Sequence, residues 1–318
     1  MKDVAVTGPS GFIGSHLLEL LAARVDMRVR VLMRGSHRLR NGNIIPVLGD
    51  LMKRETLTDF IVPGSVVINC AYLEGKSKEE NLKAAANLAE ACAGAGISRL
   101  IHLSTAVVAG RAGGVVNEGT PCRPSREYES TKLAVENFLR REYGHLFEVV
   151  ILRPTAVFGP GGKNLLKLAD SLTQGSRGVN YLKSCLFDKR RMNLVCIANV
   201  VAAIVFLIEA AGTVGGEVFI VSDDEDQTNN YRDVERYILR MFSLADYPLP
   251  RLRLPPAVLS VLLRLAGRSN LNPATIYDGR KLAAAGFRKA VSFTEGLRIF
   301  TAWYRGYTVG ASEPPVAS

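Results

Sequence analysis

Tyr128 and Lys132 stand four residues apart in the run Tyr128-Glu129-Ser130-Thr131-Lys132, so on a helix their side chains share one face. A phenol with a pKa near ~10 is too weak a base at neutral pH. A neighbouring ammonium favours the phenolate, so the pair is expected to move a proton at a substrate oxygen, with Lys132 lowering the pKa of Tyr128. Thr105, in Ser104-Thr105-Ala106-Val107-Val108-Ala109-Gly110, offers a hydroxyl to orient that oxygen. Taken alone, a tyrosine and a lysine at this spacing describe an ordinary helix surface equally well. What gives the pair meaning is the order of the elements around it.

The first of these elements is a glycine turn. Thr7-Gly8-Pro9-Ser10-Gly11-Phe12-Ile13-Gly14 follows the apolar Val4-Ala5-Val6 and opens an amphipathic run in which Leu17, Leu18, Leu20 and Leu21 recur at helical spacing. Strand, glycine turn and helix N-terminus in that order make an anion site, because the helix start presents unpaired N–H groups and about half a positive charge. Alternation at 28–33 predicts a second strand, which ends at Arg34 with no acidic residue after it. In a dinucleotide-binding unit an acid here would bind the ribose of NAD, whereas an arginine accommodates the 2′-phosphate of NADP. Arg34 and Arg38 therefore favour NADP, with NAD the alternative. Further strands are expected at 44–48, 66–69, 100–103 and 149–152, with helices at 81–95 and from Tyr128 to about Tyr143.

The segment T-G-x-x-G-F-I-G resembles the extended short-chain dehydrogenase/reductase family, in its NAD-dependent epimerase/dehydratase branch. Several later features match in the same order: Asp50-Leu51, the hydroxyl loop at Thr105, the Tyr128/Lys132 helix and Arg153-Pro154-Thr155-Ala156-Val157-Phe158-Gly159-Pro160. The ending Lys281-Leu282, Gly286-Phe287, Glu295-Gly296-Leu297, Trp303-Tyr304 is similar to that of sugar-nucleotide epimerases. The resemblance implies an α/β fold, a Rossmann-like doubly wound parallel sheet with a smaller C-terminal substrate lobe. It divides the chain into a coenzyme-binding domain at 1–160, a mainly substrate-binding lobe at 161–310 and a disordered tail at 311–318. Segments near 192–222 would return to the first domain.

The resemblance also assigns residues. Gly8, Ser10, Gly11, Phe12, Ile13, Gly14, Arg34, Arg38, Asp50, Leu51, Cys70, Ala71, Asn81, Ser104, Tyr128, Lys132, Pro154 and Val157 would bind the coenzyme. Asp50 would accept from the adenine amino group, or else cap a helix beginning near Met52. Asn81 would steady the loops beneath the coenzyme, and the backbone at Val157 would meet the carboxamide. Thr105, Tyr128 and Lys132 would be catalytic, and Thr105, Arg190 and Arg191 would bind substrate. Lys189 and Arg251 are further basic candidates for a diphosphate.

The C-terminal half is expected to contain a helix at 164–175, an irregular stretch at 179–187, a strand at 192–196, helices at 200–211 and 231–242, and a proline-rich linker at 248–256. Residues 256–266 are apolar almost all round, which suits a buried helix or a membrane-surface or dimer contact.

Hydrophobic residues make up 47% of the 318-residue chain and charged residues 22%, as in a soluble globular protein. No apolar run reaches the ~18 residues of a membrane span. The N-terminus enters a strand directly, so no signal peptide is expected. Five cysteines without a C-x-x-C and four scattered histidines argue against a metal site or a disulfide framework, and for a cytoplasmic setting. The net charge of +10 lacks an aromatic-interleaved basic stripe, which points to a phosphate-bearing small ligand and away from nucleic acid.

Three functions follow. The first is a nucleotide-sugar epimerase, with the sugar oxidised and then reduced on its other face. The second is an NADPH-dependent ketone or aldehyde reductase, favoured by Arg34 and by Ala109, where relatives carry a tyrosine. The third, a non-catalytic NAD(P)-binding sensor, sits poorly with the presence of both Tyr128 and Lys132. Ala106-Val107 stand where sugar dehydratases carry an acidic pair, so elimination of water is not expected. By family resemblance, the helices at 81 and 128 would pair two copies into a homodimer.

Overall fold

The computed structural model describes residues 1–35, 42–110, 112–210, 214–249, 261 and 274–312. Its centre is a seven-stranded parallel sheet in the order β10-β7-β5-β4-β1-β2-β3. The strands are β1 (Lys2–Thr7), β2 (Met27–Met33), β3 (Ile44–Leu48), β4 (Val66–Asn69), β5 (Arg99–Leu103), β7 (Glu148–Pro154) and β10 (Val218–Val221). Chain order reverses between β1 and β4, which opens a crevice at the carboxyl ends of those strands, where doubly wound sheets bind ligands.

Both faces of this sheet are covered, and the sequence shows why. Side chains alternate along each strand, so Val4 and Val6 enter one core while Ala5 enters the other. Val66, Ile68, Ile101 and Leu103 side with the first core, and Val67 and Leu100 with the second. Helices α1 (Phe12–Ala22) and α6 (Ile197–Glu209) cover the first face; α2 (Lys78–Ala95) and α3 (Glu127–Tyr143) cover the second. Within α1, Leu17 and Leu21 are fully buried, whereas Leu20 lies on the outer face. Helix α2 starts at a capping box, Ser77 with Glu80, and stops at Gly96 in the left-handed region (φ 64°).

After Pro160 the chain serves two regions. Strand β10 pairs with β7, and α6 packs on α1. By contrast, β8 (Ala156–Phe158) pairs with β9 (Leu194–Cys196), and α4 (Lys163–Gln174), α5 (Arg177–Phe187) and α7 (Tyr231–Met241) pack on one another. The short β6 (Val115–Val116) and β11 (Ile276–Tyr277) form a two-stranded ribbon. The last described elements are α8 (Arg280–Ala284) and α9 (Phe293–Ser312).

Several expectations are corrected here. Residues 179–187 are not irregular but lie in α5. Its inward face is polar: Asn180 bonds Ser171, and the Ser184 hydroxyl meets Glu235 at 2.5 Å, so apolar periodicity does not mark it. No helix begins at Met52; Asp50 Oδ1 instead accepts from Met52 N (2.9 Å) in a turn that leads to a short 3-10 segment, Arg54–Leu57. Residues 311 and 312, expected in the tail, are the last two of α9, and 313–318 fall outside the described residues. The helix expected at 256–266 and the greater part of the linker at 248–256 fall outside the described residues, as do Arg38 and Arg251. No described helix is long and apolar enough to cross a membrane.

Asn199 lies fully buried in the first turn of α6. Its Nδ2 donates to Asp223 (3.1 Å) and to the Val291 carbonyl, and its Oδ1 accepts from Val291 N. A carboxylate could not donate, and it would confront the buried Asp223 with like charge.

Candidate active site

The glycine turn closes at the end of β1. Gly8 has φ +67° and touches the chain after β4, where a Cβ would sit 2.8 Å from Ala71 N. Gly14 brings α1 against the turn so closely that a Cβ would lie 2.1 Å from Gly8 O. Gly11 differs. Its φ of −74° suits any residue, and its Cβ would meet only Gly8 O, at 3.4 Å. The fold itself does not require a glycine at 11; a group approaching from outside would. Gly11 is also the N-cap of α1 and supplies no side-chain cap. These residues therefore fit a coenzyme pyrophosphate. Gly11→Ala is expected to leave the melting temperature within about 2 °C of the parent, while weakening NAD(P)H binding at least ~10-fold in fluorescence titration.

Behind the turn, the end of β4 is braced by hydrogen bonds. Thr7 Oγ1 donates to Asn69 Oδ1 (2.8 Å), and Asn69 Nδ2 meets His102 Nδ1 (3.2 Å). Asn81 pins the following loop, accepting from Leu73 N (3.0 Å) and donating to Leu73 O and Ser77 O. Its polar atoms are thus engaged with protein, and its role toward a coenzyme is indirect. Burial pushes the Cys70 thiol up to about 12, so it packs rather than attacks.

Helix α3 docks on the end of β5. Lys132, 5% exposed, donates from Nζ to Leu103 O at 2.8 Å. One turn on, fully buried Glu136 accepts from the Ser104 hydroxyl and from Arg153, whose Nε lies 3.1 Å from both carboxylate oxygens. The Ser104 hydroxyl proton is therefore spent on Glu136, which leaves its oxygen as an acceptor only. Thr105 follows at the start of the short 3-10 turn Ala106–Ala109, its Oγ1 only 3.5 Å from Val107 N, so its proton remains free to donate. The sequence reading passed over Glu136. The signal was available: Glu136 is four residues past Lys132 and eight past Tyr128, on one helix face.

Electrostatics correct the expected tuning. Burial, then Tyr72, push Tyr128 up to about 12, and Lys132 does not counter this. Tyr128 as a residue is 41% exposed, so the burial that raises its pKa is partial. Lys132 itself is pushed down to about 8 by burial, against the opposing pull of Cys70 and Glu136. In the unliganded protein Tyr128 is thus a neutral phenol, able to donate a proton.

The basic residues of the lobe have partners. Lys189 pairs with Asp233 (2.6 Å), Arg190 lies over the Phe187 ring, and Arg191 donates to Asp226 O (2.9 Å). Val157 O likewise accepts from Asn164 Nδ2 (2.6 Å). An open pocket of about 750 Å³ beside the end of β10, lined by Ser222, Tyr277, Arg280 and Lys289, shares no residue with the Tyr128–Lys132 site.

Comparison with known proteins bears on the family and the fold. The chain is 28% identical to UDP-glucose 4-epimerase of Vibrio cholerae over 292 residues, covering 85% of this chain and 84% of that one. It is 31% identical over 234 residues to 4-hydroxy-2-methyl-3-oxo-4-farnesyl-3,4-dihydroquinoline-1-oxide ketoreductase of Stigmatella aurantiaca, covering 69% and 67%. Its fold matches that of UDP-glucuronic acid 4-epimerase from Bacillus cereus with a TM-score of 0.72 at 20% identity, over 96% of this chain and 99% of that one. Residues 4–222 match the model of the NAD-dependent epimerase/dehydratase family. The chain belongs to that family and is an enzyme of the oxidoreductase type that its members represent.

Proposed function

We propose that this enzyme is an NAD(P)-dependent nucleotide-sugar epimerase. One observation carries the reading: the likeness to the Vibrio cholerae UDP-glucose 4-epimerase extends over 85% of the chain, through the lobe as well as the coenzyme half. In this reading the turn at Gly8, Gly11 and Gly14 receives the coenzyme pyrophosphate, and Lys132 hydrogen-bonds a ribose. Thr105 donates to the sugar oxygen and orients it. Tyr128 takes the hydroxyl proton from that oxygen and later gives it back. The bound coenzyme supplies a reversible hydride acceptor and, in its oxidised form, a positive charge that favours the phenolate. Residues 1–160 act as the coenzyme domain and 161–310 mainly as the substrate lobe. Arg190 and Arg191 would have to exchange their present partners to reach a diphosphate.

The test is to incubate the coenzyme-loaded enzyme with UDP-, dTDP-, GDP- and CDP-sugars while following the sugar by NMR and the coenzyme at 340 nm. Epimerisation inverts the sugar with no net change in absorbance. A second reading, an NADPH-dependent ketone reductase, is favoured by the 31% identity to the Stigmatella ketoreductase and by the neutral phenol at Tyr128. That enzyme would consume NADPH in proportion to product.

Arg34, exposed at the end of β2, supports NADP(H) as the coenzyme. Losing one charge-assisted contact of about 1.5 kcal/mol, Arg34→Ala is expected to raise the Kd for NADPH about 10-fold and leave that for NADH unchanged. Equal effects on both would remove the assignment. A homodimer through α2 and α3 belongs to the same proposal, and a monomer by light scattering would exclude it.

A further inference from the structure

Tyr72, on the loop after β4, has no part in the chemistry above, yet it touches both central residues. Its ring centroid lies 5.0 Å from that of Tyr128 with the planes at 83°, and 5.2 Å from Lys132 Nζ, which sits over its face. The same ring helps line a cavity of about 20 Å³ together with Lys132, His102, Thr131 and Asn81. A cation over an aromatic face within about 6 Å is attracted to it, more strongly where water is excluded.

The other groups around this ammonium act on it unequally: burial lowers its pKa, and Cys70 and then Glu136 pull it partly back up. From β5, His102 is held well below its usual pKa by burial and is neutral. From the loop after β4, Cys70 is a neutral thiol. On α3, Glu136 is bound to Arg153, and Tyr128 is a neutral phenol. Glu74 and Glu127 act on Tyr72 rather than on Lys132. Among the described residues, the Leu103 carbonyl and the Tyr72 ring are left in direct contact with the charge.

We propose that Tyr72 is a positioning residue whose ring face keeps the Lys132 ammonium charged and in place beneath Tyr128, and so sets the upper pH limit of the enzyme. The consequence for catalysis rests on the reading of Tyr128 and Lys132 given above; the contact itself does not.

The experiment is an NMR titration of lysine 13Cε in the full-length protein, with the Lys132 signal assigned by its loss in Lys132→Met. Tyr72→Phe retains the ring, and Lys132 is expected to titrate within about 0.3 pH unit of the parent. Tyr72→Leu removes the π face but still excludes water, and Lys132 is expected to titrate about one pH unit lower. The alkaline limb of kcat/KM should follow the same values. A merely structural role would lower kcat without moving either. An unchanged or higher value in Tyr72→Leu overturns the proposal, and Tyr72→Met provides a second apolar variant should the leucine protein fail to fold. The titration needs neither coenzyme nor substrate. If no sugar or ketone is turned over, the functional reading fails while the titration stands; if an active enzyme shows no shift, only the proposal for Tyr72 fails.

Discussion

Replacing Lys132 with methionine is expected to lower kcat/KM by about 10²–10⁴-fold while slightly raising the stability of the protein. The two effects share one cause. Lys132 is buried, and its pKa falls from 10.5 to about 8, chiefly through burial. Its charged form is therefore costly in the folded state, by roughly 3 kcal/mol below pH 8 at about 1.36 kcal/mol per pH unit. Methionine removes that cost but forfeits the bond to Leu103 O and the contact with Tyr72, about 1 kcal/mol each. The net gain is then about 1 kcal/mol, or roughly 2 °C in melting temperature.

The pH dependence supplies the sharper test. Between pH 8 and 10.5 the unfolded chain binds more protons at this lysine than the folded one, so the parent gains stability as pH rises through that window. Lys132→Met lacks this gain, and its advantage should disappear by about pH 10. Melting curves of both proteins from pH 6 to 10 check this; a variant less stable than the parent at every pH would sink the idea. Tyr128→Phe isolates the other half of the pair. Since Tyr128 is 41% exposed, this variant should keep coenzyme affinity and lie within about 0.5 kcal/mol of the parent in stability, but lose turnover to a comparable degree. With Tyr128 near 12 and Lys132 near 8, the alkaline limb of the rate profile belongs to the lysine.

These same residues mark how far the sequence could be read. The glycine turn and the strands were legible because strict alternation and a run of small residues have few other physical solutions: Val4-Ala5-Val6 must face two cores. Tyr128 and Lys132 were picked out by the order of the elements around them, since their spacing alone fits an ordinary helix surface as well. Their electrostatics were not legible, because spacing places Lys132 near Tyr128 but does not say that Nζ turns to Leu103 O and to the Tyr72 ring. Long-range partners set that direction, and no local pattern encodes them. The present partners of the basic residues at 189–191 were hidden in the same way. A charge run reads as available until Asp226, Asp233 and Phe187 are brought against it. Helix α5 was hidden because Asn180 and Ser184 face inward and find partners there, against the rule that polar residues face water.

Glu136 shows what such hidden pairing is worth. Glu136→Ala would leave the Arg153 guanidinium buried at 6% exposure and unpaired, with the Ser104 hydroxyl deprived of its acceptor. Removing one partner of a buried pair costs about 3–5 kcal/mol, and that loss is expected in urea unfolding. The double variant Glu136→Leu/Arg153→Met replaces both charges with apolar groups and should return to within about 1 kcal/mol of the parent. Its activity should not return. The pair ties α3, which carries Tyr128 and Lys132, to Ser104, the neighbour of Thr105, and apolar groups hold that register less tightly. A stable but slow double variant would therefore separate what the ion pair does for folding from what it does for geometry. If the double variant were as unstable as Glu136→Ala, the penalty would lie in packing rather than in the stranded charge. If it were both stable and fully active, the tie between α3 and the hydroxyl loop would be dispensable, and the placement of Thr105 would rest on the 3-10 turn alone.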